Sequence, residues 1–528
     1  MSLKHYARAS LLLVLLLMSA GCGTSGEGAE QAAATAASAA ATVEAAQTQP
    51  VVEAETAIAA SPATVGPPGT SAPKPTHRPP TTTKDVPTPA PTITAAPTGT
   101  AFPLEAGWWD NAVCYEVFVR SFYDSDGDGI GDFKGLTSKL DYLNDGDDAS
   151  GKDLGVNCVW LMPIAESPSY HGYDVTDYRK IEPDYGTNED FKAFLDEAHR
   201  RGINVIVDLV LNHTSSEHPW FKEAQSDPRS KYRDWYLWSN DDPAYKGPWG
   251  QKVWHPAGDG YFYGIFWEGM PDLNYRNPEV TQEALEITRY WIEEMGVDGF
   301  RLDAIKHLIE NGEVQENTPE THAWLREYRT FLQGLDRPIY TVGEILDAPA
   351  TLLNTYLPDQ LDAYFDFGTA NAILKSADTG LAATYLNAVN TATTRLPYQR
   401  FAPFLTNHDQ ERAMNVLDGD FNKARVAAIA LLSTTGLPFI YYGEEIGMQG
   451  QKPDERIRTP MQWTGEATGG FTTAKPWESL QDDVETDTST MCTLCSHRIV
   501  SVRDNAGQLL SSVAWTTCTY VGGLVIWT

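Results

Sequence analysis

Positive charge is what this chain has least of. Its 528 residues carry 39 Lys and Arg against 71 Asp and Glu, for a formal net charge of −32 at pH 7. Such a surface repels a polyanion, which excludes nucleic acid as a partner and fits a catalyst acting on a neutral substrate. Long apolar runs are almost missing as well. The longest, residues 11–18, follows Lys4 and Arg8 and is too short to span a bilayer as a mature helix. Residues 23–101 contain no aromatic residue and are dominated by Ala, Thr, Pro and Ser. A segment of that kind cannot bury enough apolar surface to fold and reads as a tether. As a flexible coil of about 80 residues it would reach ~50 Å. No phosphate-cradling glycine loop, dinucleotide fingerprint or Ser-His-Asp motif is found, which removes the chemistries those patterns serve.

Cysteine is scarce, with six in the chain. Cys22 closes the run Ser19-Ala20-Gly21-Cys22, which resembles the cleavage box of bacterial lipoproteins, where the Cys becomes the lipid-modified N-terminus; an ordinary secretory signal is the alternative. The expectation is an exported protein, held to the outer side of the cell membrane by its lipid anchor alone. Cys114 and Cys158 lie on the first two expected strands, as small buried hydrophobes or as a pair. Cys492-x-x-Cys495 has redox or zinc spacing, but no second such pair accompanies it and no metal role is assigned.

The stretch Val297-Asp298-Gly299-Phe300-Arg301-Leu302-Asp303-Ala304 organises the rest. It reads as a buried strand after a helix that stops at Gly296. Side chains alternate along a strand, so Arg301 and Asp303 share a face, and a guanidinium beside a carboxylate favours the ionised acid. Two further apolar runs also end in acids: residues 339–344 in Glu344 and residues 401–409 in Asp409. Three strands delivering acids at their C-terminal ends describe a parallel barrel with its site at that rim. Residues 113–122, 156–164, 204–211, 362–368 and 436–444 supply the other strands. Thr187 caps a helix with Phe191, Phe194, Leu195 and Ala198 at helical spacing, and Gly202 ends it. Residues 214–275 break the alternation. They are rich in Trp, Tyr, Pro and Gly, and no amphipathic helix of useful length is expected there.

These residues match a family. The blocks Asp208-Leu209-Val210-Leu211-Asn212-His213, Gly299-Phe300-Arg301-Leu302-Asp303, Gly343-Glu344 and Asn407-His408-Asp409 resemble, in order and spacing, those of the α-amylase family of retaining glycoside hydrolases. The resemblance covers roughly residues 107–463 and implies a (β/α)8 barrel. Residues 214–275 would be its domain B after strand three. Residues 464–528 would be a short β-rich C-terminal region, an incomplete version of the family's longer β-sandwich. The leader (1–22), tether (23–103), barrel (104–213 and 276–463) and these two regions complete the expected organisation. Met270-Pro271-Asp272-Leu273-Asn274 resembles a subgroup between oligo-1,6-glucosidases and neopullulanases.

By that resemblance Asp303 is the nucleophile, Glu344 the acid/base and Asp409 the third carboxylate. Tyr173, Asp174, His213, Arg301, Lys306, His307 and His408 would contact sugar, with Lys306 and His307 on the leaving-group side. Glu344, with no basic neighbour on its own strand and two acids nearby, should be costly to ionise. The acidic loop 124–132 alternates acids with glycines and offers oxygen ligands to a hard cation. Asp124, Asp126, Asp128, Asp132 and the Ile130 carbonyl are the expected Ca2+ ligands. The expectation is a monomeric, endo-acting α-amylase on the α-1,4 bonds of starch and maltooligosaccharides. Its rivals are an exo-acting α-glucosidase, a neopullulanase, a transglycosylating relative and an inactive carbohydrate-binding homologue.

Overall fold

The structure, a computed structural model, describes residues 107–481, apart from 148, 149, 151 and 397–399, and the backbone of 495–503 and 509–518. Cys22 and Cys492 lie outside the described residues, as does the side chain of Cys495.

Eight parallel strands form the barrel: β1 (Cys114–Val117), β2 (Cys158–Leu161), β3 (Asn204–Leu209), β4 (Gly299–Leu302), β5 (Tyr340–Gly343), β6 (Ala363–Phe365), β7 (Phe401–Ala402) and β8 (Phe439–Tyr441). Neighbours in sequence are neighbours in the sheet from β1 to β7, and β8 returns to pair with β1. A backbone bond from Phe439 N to the Pro403 carbonyl (2.9 Å) spans the remaining gap between β7 and β8. Each strand is shorter than its apolar run. The run 113–122 divides, with β1 ending at Val117 and a helical turn, Val119–Phe122, following. The apolar residues at the strand ends are buried where the chain turns out of the barrel, so burial alone does not bound a strand.

Strand alternation sorts the core into two layers. Inward-facing Trp160, Ile206, Val342, Phe365 and Phe439 fill the barrel, and outward-facing Val159, Val207, Phe300 and Leu302 pack beneath the helices. Gly299 faces inward where a Cβ would lie 2.3 Å from the Tyr340 carbonyl oxygen, so any side chain there would push β4 from β5. The helix Asn188–Arg200 begins with Thr187 and Asp190 in a reciprocal capping box, and buries the four expected apolar residues. The helix Pro278–Arg289 passes through a π-helical turn and ends at Gly296, whose φ is +96°.

Two features differ from expectation. Residues 214–275 contain an eight-residue amphipathic helix, Pro219–Ser226, beside a three-stranded antiparallel sheet. The chain beyond Trp463 also does not leave the barrel at once. Asp124 N donates to the Phe471 carbonyl (3.1 Å) and Trp477 N to the Gly129 carbonyl (2.9 Å). Thr472 Oγ1 donates to Asp124 Oδ2 at 2.5 Å, and the Trp477 indole stacks on Tyr170 at 5.3 Å. This strap lies over the acidic loop. Farther on, Cys495–Arg503 and Leu509–Cys518 form an antiparallel hairpin, the expected β character of the tail.

At the bottom of the barrel Cys114 and Cys158, direct neighbours across β1 and β2, form a disulfide. The pair closes a loop with a sequence separation of 44 residues. Restricting such a loop in the unfolded chain stabilises the fold by about 4 kcal/mol on the chain-entropy model. The double substitution Cys114→Ala, Cys158→Ala is therefore expected to lower the unfolding free energy extrapolated from urea titration by that order. An unchanged value would show that the cross-link contributes nothing to stability.

Candidate active site

The rim is built around one buried cation. Arg301, on β4, is 1% exposed and its guanidinium serves four groups. Nη1 donates to both carboxylate oxygens of Asp208 (2.8 Å each), to Asp303 Oδ1 (2.8 Å) and to the Tyr173 hydroxyl (3.2 Å). Nη2 lies 3.7 Å from Glu344 Oε2. Burial disfavours the charge, and the surrounding acids outweigh it, so the guanidinium stays charged. Asp208 faces Arg301 in the β3–β4 register. It was passed over as a site residue in the sequence, although an acid within an apolar strand must find a partner once buried.

Asp303 and Glu344 sit at the ends of β4 and β5 and meet on this guanidinium. The expectation that Glu344 lacks a basic neighbour holds along its own strand but not across strands, since Arg301 reaches it from β4. Burial first, then the charges of Asp303 and Asp409, still push Glu344 up to about 7, against the pull of Arg301 and the Ala304 amide. Ala304, immediately after Asp303, has φ +48°, a left-handed conformation costly for a residue with a Cβ. Its N–H donates to Glu344 Oε2 at 2.9 Å, so the unusual backbone fixes one acid next to the other.

A second cation completes the rim. Buried His408 places Nδ1 2.5 Å from Glu116 Oε1, and Nε2 2.6 Å from the Tyr173 hydroxyl and 3.1 Å from Asp409 Oδ2. Burial pulls the imidazole down, and Asp409 and Glu116 together raise it to about 9. Asp409 has its side chain 42% exposed to the cleft, and Arg458 Nη2 donates to its Oδ1 at 2.9 Å. Desolvation pushes that carboxyl up, but His408 and Arg458 hold it well below the usual carboxylate range. Glu116, 1% exposed on β1, is a second residue the sequence reading missed, and the same signal marked it.

The remaining expected contacts divide. Tyr173 stands in the site, its ring stacked on His408 at 5.5 Å. His213 is buried, with Nε2 3.1 Å from the Tyr173 carbonyl; burial keeps it neutral and it fixes the Tyr173 turn. Asp174 is turned into its own loop, where the Ser167 and Ser169 hydroxyls donate to Oδ1, so it does not face the cleft. Lys306 pairs with Glu316 at 3.0 Å. His307 is buried, donating from Nδ1 to the Gln315 carbonyl (2.9 Å), and burial lowers it to about 4. Neither Asp174 nor His307 offers the open sugar contact expected of it: serine hydroxyls engage Asp174, and the Gln315 carbonyl with the Trp249 and Phe266 rings encloses His307.

In the acidic loop, Asp124, Asp126 and Asp128 each bring a carboxylate oxygen within 4.8 Å of the others. Gly127 and Gly129, at φ +83° and +99°, supply the curl that aims these side chains inward. Burial and the like charges of Asp126 and Asp124 raise Asp128, a repulsion that a hard cation would relieve. These three residues could hold a metal ion. Asp132 stands apart from the trio: Oδ1 caps a helix by accepting from Gly135 N (2.8 Å), and both oxygens accept from Ser125.

A parallel barrel whose C-terminal rim gathers three acids around buried cations is the frame of an enzyme that hydrolyses glycosidic bonds. The chain belongs to the α-amylase family: residues 116–496 match the family model described as "Alpha amylase, catalytic domain". It is 42% identical over 379 residues to Alpha-amylase 3 of Dictyoglomus thermophilum, covering 69% of this chain and 70% of that protein. It is 34% identical over 429 residues to the trehalose synthase/amylase TreS of Mycolicibacterium smegmatis, covering 71% and 70%. Among solved structures, an α-amylase from H. orenii is 47% identical with a TM-score of 0.67, covering 72% of this chain and 78% of that one.

Two measurements probe this geometry. Glu116→Gln keeps a hydrogen-bonding group but removes a charge, so the His408 imidazole, followed by NMR, should titrate well below its value of about 9. No movement would mean that Asp409 alone sets it. Chelating calcium should lower the melting temperature, since an ion at 100 times its Kd stabilises the native state by about 2.7 kcal/mol. An unchanged melting point would remove the structural role from the loop.

Proposed function

We propose that this protein is an exported α-amylase that cleaves internal α-1,4-glucosidic bonds of starch and maltooligosaccharides with retention of configuration. The observation that carries the reading is the meeting of Asp303 and Glu344 on the Arg301 guanidinium, with Glu344 pushed up to about 7. In this reading the Asp303 carboxylate attacks the anomeric carbon while Glu344 passes its proton to the departing glycosidic oxygen. Water, deprotonated by Glu344, then displaces Asp303 from the same carbon and restores both groups. Arg301 aims Asp303 through the hydrogen bond from its Nη1. Asp409, held ionised by His408 and Arg458, accepts hydrogen bonds from sugar hydroxyls and keeps Glu344 protonated by its charge. A calcium ion on Asp124, Asp126 and Asp128 would pin the loop after β1 and take no part in bond cleavage.

The α-amylase names of two of the relatives support hydrolysis inside the polymer. TreS favours a second reading, transfer of glucose between sugars. Export is supported by the signal-like leader and by the Cys114–Cys158 disulfide, which persists in oxidising compartments. The lipid anchor at Cys22 rests on the cleavage box, and a Cys22→Ser protein that still fractionates with membranes would remove it.

Glu344→Gln is expected to slow starch hydrolysis by ~10²–10⁴ while sparing substrates with good leaving groups. A 2-fluoro glucosyl probe should label Asp303; labelling elsewhere, or inverted product by NMR, would overturn the mechanism. The acid must be protonated, so kcat should decline as pH rises through about 7. Asp409→Asn removes a like charge and should move that limb to lower pH. On soluble starch, viscosity should collapse before reducing ends accumulate. Glucose as the sole early product, or trehalose from maltose, would move the assignment to a relative.

A further inference from the structure

Asp409 is the most open acid of the rim, with its side chain 42% exposed, whereas the side chain of its partner Arg458 is only 3% exposed. An ion pair at an open surface contributes little, largely because two long side chains must be ordered to make it. Here the order of Arg458 is settled by groups behind it. Its Nε donates to the His408 carbonyl (2.8 Å), and Nη2 donates to Asp409 Oδ1 (2.9 Å) and Asp454 Oδ2 (3.3 Å). Nη1 donates to the Tyr170 hydroxyl at 3.4 Å.

Trp477, on the strap beyond the last barrel strand, reaches both ends of this arginine. Its indole stacks on Tyr170 (5.3 Å between centroids, 27° between planes), whose hydroxyl faces the guanidinium. Its Nε1 donates to Ser121 Oγ at 3.0 Å, and that hydroxyl donates in turn to the Arg458 carbonyl at 2.5 Å. Ser121 is fully buried, and its own carbonyl accepts from Met461 N at 2.7 Å. The serine is thus fixed between the helical turn after β1 and residues 458–461. The strap grips the same segment again: Arg456 Nη1 donates to Glu478 Oε1 (3.0 Å) and the Gln481 amide to Thr459 Oγ1 (3.2 Å). An indole on a tyrosine is ordinary packing. One side chain joined by separate routes to the backbone and the head of a single arginine, whose head holds an acid of the site, is a support.

We propose that Trp477 is a positioning residue for Asp409 and acts through Arg458, so that chain beyond the barrel helps to shape the reacting position. This rests on the reading of Asp409 above as the acid that grips sugar hydroxyls. The indole is already partnered by protein: Tyr170 stacks on it, the Arg120 guanidinium lies over its ring at 5.8 Å, and Phe118 meets it edge-on at 5.9 Å. Its effect on substrate is therefore indirect. Without it Tyr170 is free to turn from Nη1, Ser121 loses a donor, and Arg458 and Asp409 spread over more arrangements. A shift of about 1 Å at a group that orients substrate can cost ~10²-fold in rate.

The test is a double-mutant cycle on α-glucosyl fluoride, which fills only the reacting position and needs no protonation of its leaving group. Trp477→Ala should lower kcat ~10-fold or more with KM nearly unchanged. In the Asp409→Asn background the same substitution should cost nothing further, to within about 2-fold, because the group it positions is gone. Ser121→Ala, which breaks the relay and leaves the strap in place, should reproduce part of the loss and be equally silent with Asp409→Asn. It carries the test if Trp477→Ala does not fold. An unchanged kcat overturns the proposal, as does a loss that persists in full beside Asp409→Asn, the mark of a merely structural role. A loss confined to KM for longer maltooligosaccharides would mean that the indole touches sugar itself, and overturns it too. An Asp409→Asn enzyme with wild-type kcat would instead overturn the reading of Asp409, and the proposal with it.

Discussion

A single guanidinium holds this rim together. Arg301 is enclosed by Asp208, Asp303, Glu344 and Tyr173, and none of the acids could sit so deep without it. Burying charges costs several kcal/mol per ion unless partners are close and well aligned. The arrangement therefore works as a unit. Asp208 anchors the guanidinium from the neighbouring strand, so its remaining reach is aimed at Asp303 and Glu344. A lysine would carry the charge but not the second nitrogen, Nη2, that Arg301 brings to 3.7 Å from Glu344 while Nη1 holds Asp208 and Asp303.

The second cation has a complementary task. His408, charged between Glu116 and Asp409, links β1 to β7, and its contact with Tyr173 joins it to the Arg301 group. The two networks share Tyr173. The site is thus an alternation of acid and base laid across the strand ends, in which burial first pushes Glu344 up to about 7 and Asp208 up to about 6. In the reading proposed above, the raised Glu344 is the proton donor and Asp303 the nucleophile.

Much of this was legible in the sequence. Strand and helix periodicity located the eight barrel strands, and the matched blocks named Asp303, Glu344 and Asp409 at their ends. What escaped were partners acting across strands. Asp208 and Glu116 look like ordinary strand residues until the β3–β4 register sets Arg301 opposite Asp208 and the loop after β7 brings His408 to Glu116. Exposure escaped as well. Asp174 and His307 have the right chemistry at the right spacing, yet local hydrogen bonds and ring packing enclose them. A linear pattern records residue types, whereas accessibility depends on how loops from distant segments close over one another, as the Trp249 loop does over His307. Cys114 and Cys158 could be placed on neighbouring strands, but their in-register pairing follows from the sheet.

The strap beyond the last barrel strand has a consequence for where the catalytic unit ends. Thr472 donates to Asp124, Trp477 donates its N–H to the Gly129 carbonyl, and its indole lies on Tyr170, beside Arg458. A fragment cut at Trp463 would contain every barrel strand but leave Asp124 without its hydroxyl donor and Tyr170 without its stacking partner. A catalytic fragment must therefore keep the strap through Trp477, and a fusion joint placed earlier would fray the acidic loop and the cleft together.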